Sequence, residues 1–269
     1  MGYFQTVMTA FEGRGTAGPP LLLVHGFPLA RAMWDGQLAG LSELARVVSL
    51  DLSGFGDTPP RSDDAPFRME EMADEVLALA DALGFHRFVA GGLSMGGYVV
   101  LAMHRRAPDR ISGMLLCDTR AEPDTPEARK QRLIDADRVL ADGTGILVEK
   151  HLRLLLAPET LARRRDVAVA TEVMIRRATP LGVAAALRGM AERPDARPQL
   201  RTIGVPTLVV VGAEDAIMPP ATHQAMAAQI PDAELAVIPG AGHLSPFEAP
   251  EPVNVAVRKL LRRVSAAAE

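Results

Sequence analysis

The sequence predicts an α/β fold: a mostly parallel central sheet with helices on both faces, carrying one all-helical insertion. Three observations lead there. Short continuous apolar runs such as Leu21-Leu22-Leu23-Val24 read as strands buried on both faces. They alternate with longer stretches of helical periodicity, the pattern of parallel strand pairing through helical crossovers. From Thr119 to about Pro198 the alternation stops, and only Arg-, Ala- and Leu-rich helical segments remain, broken by Pro126, Pro158, Pro180 and Pro194. Residues 119–198 therefore read as a helical lid inserted after the strand ending at Asp118, and 1–118 with 199–269 as the core domain.

Each element has its own justification. Residues 3–12 mix aromatic, β-branched and polar side chains and suit one or two short edge strands. Arg14 to Pro20 is a Gly/Pro-rich turn. The Leu21–Val24 strand runs into His25-Gly26-Phe27-Pro28. Val47–Leu50 is a second buried strand, followed by the Gly-rich turn Asp51 to Asp57. Met69 to Leu83 is a helix, because Met72, Val76, Leu79 and Leu83 share one face and Gly84 follows as a stop. Arg87–Ala90 is a strand, Tyr98–His104 a helix that Pro108 ends, and Ile111–Cys117 the next strand. After the insertion come strand Val205–Val211, a helix around His223–Ile230, strand Leu235–Ile238 and a final helix Pro252–Val264.

Composition narrows the class. The 269 residues suffice for a large core, and 48% hydrophobic with 23% charged residues is ordinary for a globular chain. A net charge of −4 gives no electrostatic footprint for nucleic acid or an anionic membrane. No apolar run approaches the ~18 residues that span a bilayer. The N-terminal MGYFQTVMTAFEG lacks a basic start and an apolar signal core, so a cytoplasmic location is expected. The single cysteine, Cys117, lies in an apolar run and reads as a buried, inert thiol.

The stretch that organises the chain is Gly92-Leu93-Ser94-Met95-Gly96, a G-x-S-x-G sequence between a strand and a helix. A serine in so sharp a turn adopts strained backbone with positive φ, and the glycines two residues away on each side let strand and helix approach. By chance alone the pattern occurs in about one chain in ten of this length, so the strand–turn–helix context carries the inference. In a parallel sheet, ligands sit beyond the carboxyl ends of the strands. There the sequence places His25-Gly26-Phe27, Ser94, Asp118, Gly212-Ala213-Glu214-Asp215 and Gly240-Ala241-Gly242-His243. Acyl transfer needs a nucleophile, a base, an acid that orients the base, and donors for an oxyanion. Ser94, His243, Asp215 and the backbone N–H groups of Phe27 and Met95 fill those roles.

With these motifs in hand, the chain resembles the α/β-hydrolases that carry a helical cap. His25-Gly26-Phe27, Asp51-x-x-Gly54-x-Gly56, the Ser94 elbow, Gly212-x-x-Asp215 and Gly242-His243 stand in that superfamily's order, with Ser, Asp and His in its sequence. The resemblance implies a serine esterase or lactonase: Ser94 as nucleophile, His243 as base, Asp215 as acid, and an oxyanion hole from Phe27 and Met95. Asp118 remains an alternative acid, because some relatives place theirs at that strand end; the Gly-x-x-Asp turn favours Asp215. The elbow and the Leu116–Thr119 entry to the cap are similar to enol-lactonases, and Pro28 is similar to cofactor-free haloperoxidases. Cofactor-free haloperoxidase or perhydrolase activity, C–C bond hydrolysis, thioester hydrolysis or acyl transfer, and a non-catalytic receptor are the competing readings.

A serine at the elbow separates this chain from epoxide hydrolases and dehalogenases, which use aspartate there. Neither H-E-x-x-H nor a cysteine cluster occurs, so no metal is expected, and no cofactor is expected either. The expected partner is a small or medium ester or lactone, with no nucleic acid and no membrane; the reading leaves room for a homo-oligomer. Candidates for the pocket wall are Pro28, Trp34, Met218 and Leu244. In the lid, Ile146, Leu147, Leu152, Leu155, Met174 and Leu187 face either the core or the acyl chain. His25 and Asp51 are expected to brace their own loops. His86, His104, His151 and His223, in or beside helices, are expected at the surface or as caps.

Overall fold

The computed structural model describes residues 9–267, so the expected edge strand before Thr9 lies outside the described residues. Seven strands make one sheet: β1 (Phe11–Arg14), β2 (Pro20–Val24), β3 (Arg46–Leu50), β4 (Phe88–Leu93), β5 (Ile111–Cys117), β6 (Thr207–Gly212) and β7 (Ala233–Ile238). Their order across the sheet is β1-β3-β2-β4-β5-β6-β7, with β1 antiparallel and every other pairing parallel. The central strands β2, β4 and β6 are buried throughout. Each fully buried leucine of β2 stabilises the fold by about 2 kcal/mol. The edge strand β7 instead exposes Leu235 and Val237.

Helices α1 (Asp35–Leu41), α2 (Met69–Ala82) and α3 (Met95–Arg106) belong to the first half of the core. Between β5 and β6 lie α4 (Pro126–Asp142), α5 (Val148–Leu155), α6 (Pro158–Arg163), α7 (Arg165–Arg177), α8 (Pro180–Ala191) and the short α9 (Arg197–Leu200). Helices α10 (Pro220–Ala227), α11 (Ser245–Glu248) and α12 (Pro250–Ala266) complete the chain. α2 packs on α3 and α1 on α12, while α3 and α12 both lie against β5. The insertion's two long helices, α4 and α8, run against each other. Prolines open α4, α6 and α8, where their missing N–H costs nothing, so three of the four proline breaks read from the sequence are helix starts; the fourth, Pro194, lies in the coil between α8 and α9. Thr179, the N-cap of α8, donates both its backbone N–H and its hydroxyl to Gly54 O at 2.9 and 3.0 Å, fastening the insertion to the core.

At the elbow the structure corrects the expected boundaries. β4 continues to Leu93, and Gly91 and Gly92 pair with Leu115 and Leu116 of β5, so the turn shrinks to Ser94 alone. Helix α3 starts at Met95, three residues before the expected Tyr98.

Candidate active site

Ser94 sits at φ 53°, ψ −110°, a conformation costing about 1–3 kcal/mol in a residue with a side chain. Its neighbours hold it there. The Ser94 N–H donates to Cys117 O at 2.9 Å, and Ser94 O accepts from the Thr119 hydroxyl at 2.8 Å and from the N–H groups of Gly97 and Tyr98. A Cβ at Gly92 would lie 2.2 Å from Gly96 O, and one at Gly96 would lie 2.2 Å from Val24 O. Only glycine fits either position, which is why the motif reads as it does.

Beyond the elbow, His243 Nε2 lies 2.9 Å from Ser94 Oγ, and His243 Nδ1 lies 2.8 Å from Asp215 Oδ2. Because a carboxylate only accepts, Nδ1 carries the proton and Nε2 accepts from the serine hydroxyl. The other Asp215 oxygen accepts from the N–H groups of Ile217 and Met218 at 2.8 and 2.9 Å, which fixes the carboxylate plane. Gly26 abuts the elbow, bringing the Phe27 loop beside Ser94. Among the described residues, neither the Phe27 N–H nor the Met95 N–H has an acceptor; Met95 heads α3, where the first N–H groups are left over by the helix.

Asp118 is brought close but holds a different position. Its Oδ1 accepts from the Gly212 N–H at 2.8 Å and its Oδ2 from the Ser245 hydroxyl at 2.6 Å, so it ties together the strand end before Asp215 and the turn after His243. Burial, and then the nearby Asp215 charge, raise its carboxyl well above the usual range. Burial likewise pushes the Cys117 thiol up, consistent with an inert group. His25 accepts the Leu52 N–H at Nε2 and contacts Gly26 O through Nδ1, and Asp51 takes the N–H groups of Arg31 and Asp57; both brace loops.

Ser94 and His243 open into a cavity of about 240 Å³. Phe27, Tyr98 and Met218 line it from the core, and Leu147, Leu154, Leu155, Leu187 and Met190 from the insertion. Of the pocket candidates, Met218 is in the wall. Trp34 and Leu244 are fully buried in the core and Pro28 is buried beneath the loop, so none of the three faces this cavity. Among the lid residues, Leu147, Leu155 and Leu187 reach the cavity; Ile146 is exposed, Leu152 is half-buried against the core, and Met174 lines a separate cleft of about 320 Å³ beside Arg31 and Asp57.

The histidine expectations need correction. His104 and His223 are buried, and only His86 of the four is exposed. His151 lines the cavity, its ring 5.9 Å from that of Phe27. Its Nδ1 donates to Leu147 O at 2.8 Å, and burial holds its pKa below the ordinary histidine value, so its Nε2 is an acceptor at the cavity wall. The spacing Leu147, His151, Leu154, Leu155 puts this histidine on the apolar face of α5, a signal present in the sequence. Glu248 has no such signal in the sequence: its two oxygens accept the N–H groups of Gly242 and Ala157 at 2.8 and 2.9 Å, joining the loop of His243 to the insertion.

Among the described residues no cluster of three or more metal-ligating side chains occurs, and no helix is long and apolar enough to cross a membrane. Comparison with known proteins agrees with the geometry. The sequence pattern of the alpha/beta hydrolase fold matches residues 19–250. The malate-bound structure of a thermophilic esterase from Thermogutta terrifontis superposes with a TM-score of 0.92 at 47% identity, covering 95% of this chain and 93% of that one. The enol-lactonase from Burkholderia xenovorans LB400 gives a TM-score of 0.87 at 26% identity, covering 94% and 96%. The pimeloyl-(acyl-carrier protein) methyl ester esterase of Edwardsiella ictaluri is 30% identical over 251 residues, covering 90% of this chain and 93% of that protein. The chain belongs to the α/β-hydrolase fold family, as a hydrolase related to esterases and lactonases.

Proposed function

We propose that this hydrolase cleaves a small or medium carboxylic ester or lactone through an acyl-enzyme on Ser94. The observation that carries the reading is the unbroken line from Ser94 Oγ to His243 Nε2 at 2.9 Å and from His243 Nδ1 to Asp215 Oδ2 at 2.8 Å, opening into the cavity. Ser94 Oγ attacks the carbonyl carbon as its proton passes to His243 Nε2. The tetrahedral oxyanion takes hydrogen bonds from the Phe27 and Met95 amides, each such donor being worth about 10²–10³ in turnover. His243 then returns the proton to the departing alkoxide, leaving the ester of Ser94. Water, deprotonated by the same nitrogen, attacks that ester; the acid leaves and Ser94 is regenerated. Asp215 holds the imidazole in the required tautomer and stabilises its transient positive charge.

A panel of chromogenic esters, lactones and thioesters tests this reading, with Ser94→Ala as the control. The variant is expected to fold normally and to lose turnover on the order of 10⁶-fold. Equal turnover by the folded variant would refute the assignment.

A further inference from the structure

The cavity wall is more cationic than hydrolysis of a plain alkyl ester requires. Besides its leucines it is lined by Arg120, Arg132 and Lys150, all on the insertion or the segment leading to it, and by one carboxylate, Asp135. Behind them Asp124, its side chain fully buried, bonds Arg120, Arg132 and Arg193. Glu122 lies on the same loop, with Oε2 buried and unpaired. Counting Asp124, Asp135 and Glu122 against Arg120, Arg132, Arg193 and Lys150, the cations remain in excess.

Their donors are also incompletely used. Arg120 Nε is buried with no acceptor among the described residues. Arg132 Nη1 has only the thioether of Met190, at 3.4 Å, a weak acceptor. The Lys150 ammonium lies 3.6 Å from its nearest carboxylate, Asp135, beyond a good hydrogen bond. A buried guanidinium N–H without an acceptor is costly, and proteins keep few of them without a ligand or water to complete the set. Arg193 Nε is buried without an acceptor as well, but Arg193 does not line the cavity: its side chain is stacked 3.9 Å from the Tyr98 ring centroid and bonds Asp124, so it buttresses the cluster from behind.

We infer that the substrate carries a carboxylate on its acyl or its alcohol half, and that Arg120, with Arg132 and Lys150, receives it while the scissile carbonyl lies at Ser94. This rests on the esterase reading above. A planar guanidinium fork suits a carboxylate, and the apolar residues that line the same cavity suit the short carbon chain joining the two ends. The cavity volume matches such a molecule better than a long acyl chain.

The test uses two shape-matched pairs. On the acyl side, the p-nitrophenyl ester of succinic acid is compared with that of 4-methylpentanoic acid; on the alcohol side, the butyrate ester of glycolic acid is compared with isobutyl butyrate. The carboxylate member of at least one pair is expected to show kcat/KM about 10–100-fold above its neutral partner, the worth of one charge-assisted hydrogen bond. Arg120→Gln and Lys150→Gln are expected to lower that ratio about tenfold. Lys150 is largely exposed, so the second variant remains informative if the first fails to fold. Equal or reversed preference in both pairs, or a ratio unchanged in Lys150→Gln and folded Arg120→Gln, overturns the inference. Labelling of wild-type Ser94 by a neutral fluorophosphonate separates the cases: labelling without carboxylate preference removes only this inference, whereas absent labelling and absent turnover remove the esterase reading beneath it.

Discussion

The elbow at Ser94 and the helical insertion face each other across one cavity, but they are held by different kinds of contact. At the elbow every backbone group of Ser94 is bonded, and two glycines fill contacts that no other residue could enter. The insertion exposes Leu133, Ile134, Leu140, Val169 and Val173, and bonds between distant segments tie it to the core, among them Thr179 to Gly54, Phe67 to Ala185 O, Arg188 to Asp64 O, Leu244 to Leu155 O and Ala157 to Glu248. The difference separates two tasks. Reacting atoms must be held to a fraction of an ångström, so they sit on the rigid sheet. A cavity wall built from separate side chains of the insertion can change residue by residue without disturbing them.

Variants in the two regions should therefore fail in different ways. After Ser94 itself, the largest effect is expected at Asp215. Asp215→Asn removes the acceptor that fixes the His243 tautomer and should cost about 10⁴-fold in kcat, with KM little changed. Asp118→Asn should cost far less, because its carboxyl bonds Gly212 and Ser245 and not the imidazole. The reverse ranking would transfer the acid's role to Asp118.

Next comes the elbow itself. Gly96→Ala drives a methyl into Val24 O and should destabilise the fold by about 3 kcal/mol in denaturant unfolding, with activity lost in parallel. A variant as stable and active as wild type would show that the close strand–helix approach is not required. In the insertion, Leu155→Ala and Leu187→Ala should leave Ser94 labelling intact yet change the ratio of rates on short and longer esters, by tenfold or less. An unchanged ratio would move selectivity to the core side of the cavity.

The smallest effect concerns pH. Burial raises the Asp118 pKa, so the folded state favours its protonated form. The stability this group contributes is complete below the ordinary carboxylate value near pH 4 and declines as pH rises towards its folded pKa. Asn does not titrate, so the melting temperature of Asp118→Asn relative to wild type should increase with pH above about 4. A difference independent of pH would mean that Asp118 is ionised in the fold at no cost.

Legibility follows the same division. The succession of strands along the chain, the Ser94 elbow and the loops bearing Asp215 and His243 could be read because backbone geometry dictates residue type within a few positions. Gly92 and Gly96 are the clearest case, since the contact that demands them lies inside the motif. Glu248, and the Arg193 that closes the Arg120–Asp124–Arg132 cluster from behind, depend on contacts between distant segments, whereas His151 is marked by its place on the apolar face of α5. Glu248 joins Gly242 to Ala157, 91 residues away, and no local spacing announces that. Trp34 and Leu244 erred the other way: near a functional loop in sequence, they turn inward to fill the core.

The most direct test of the central claim, that the elbow serine carries the acyl group, is mass spectrometry of protein quenched during turnover of a slow ester. The tryptic peptide from Phe88 to Arg105 contains Ser94 and no other serine, threonine or cysteine. The expected result is an added mass equal to the acyl group on that peptide, absent in Ser94→Ala. An unmodified peptide while the acyl group appears elsewhere on the chain would contradict the claim.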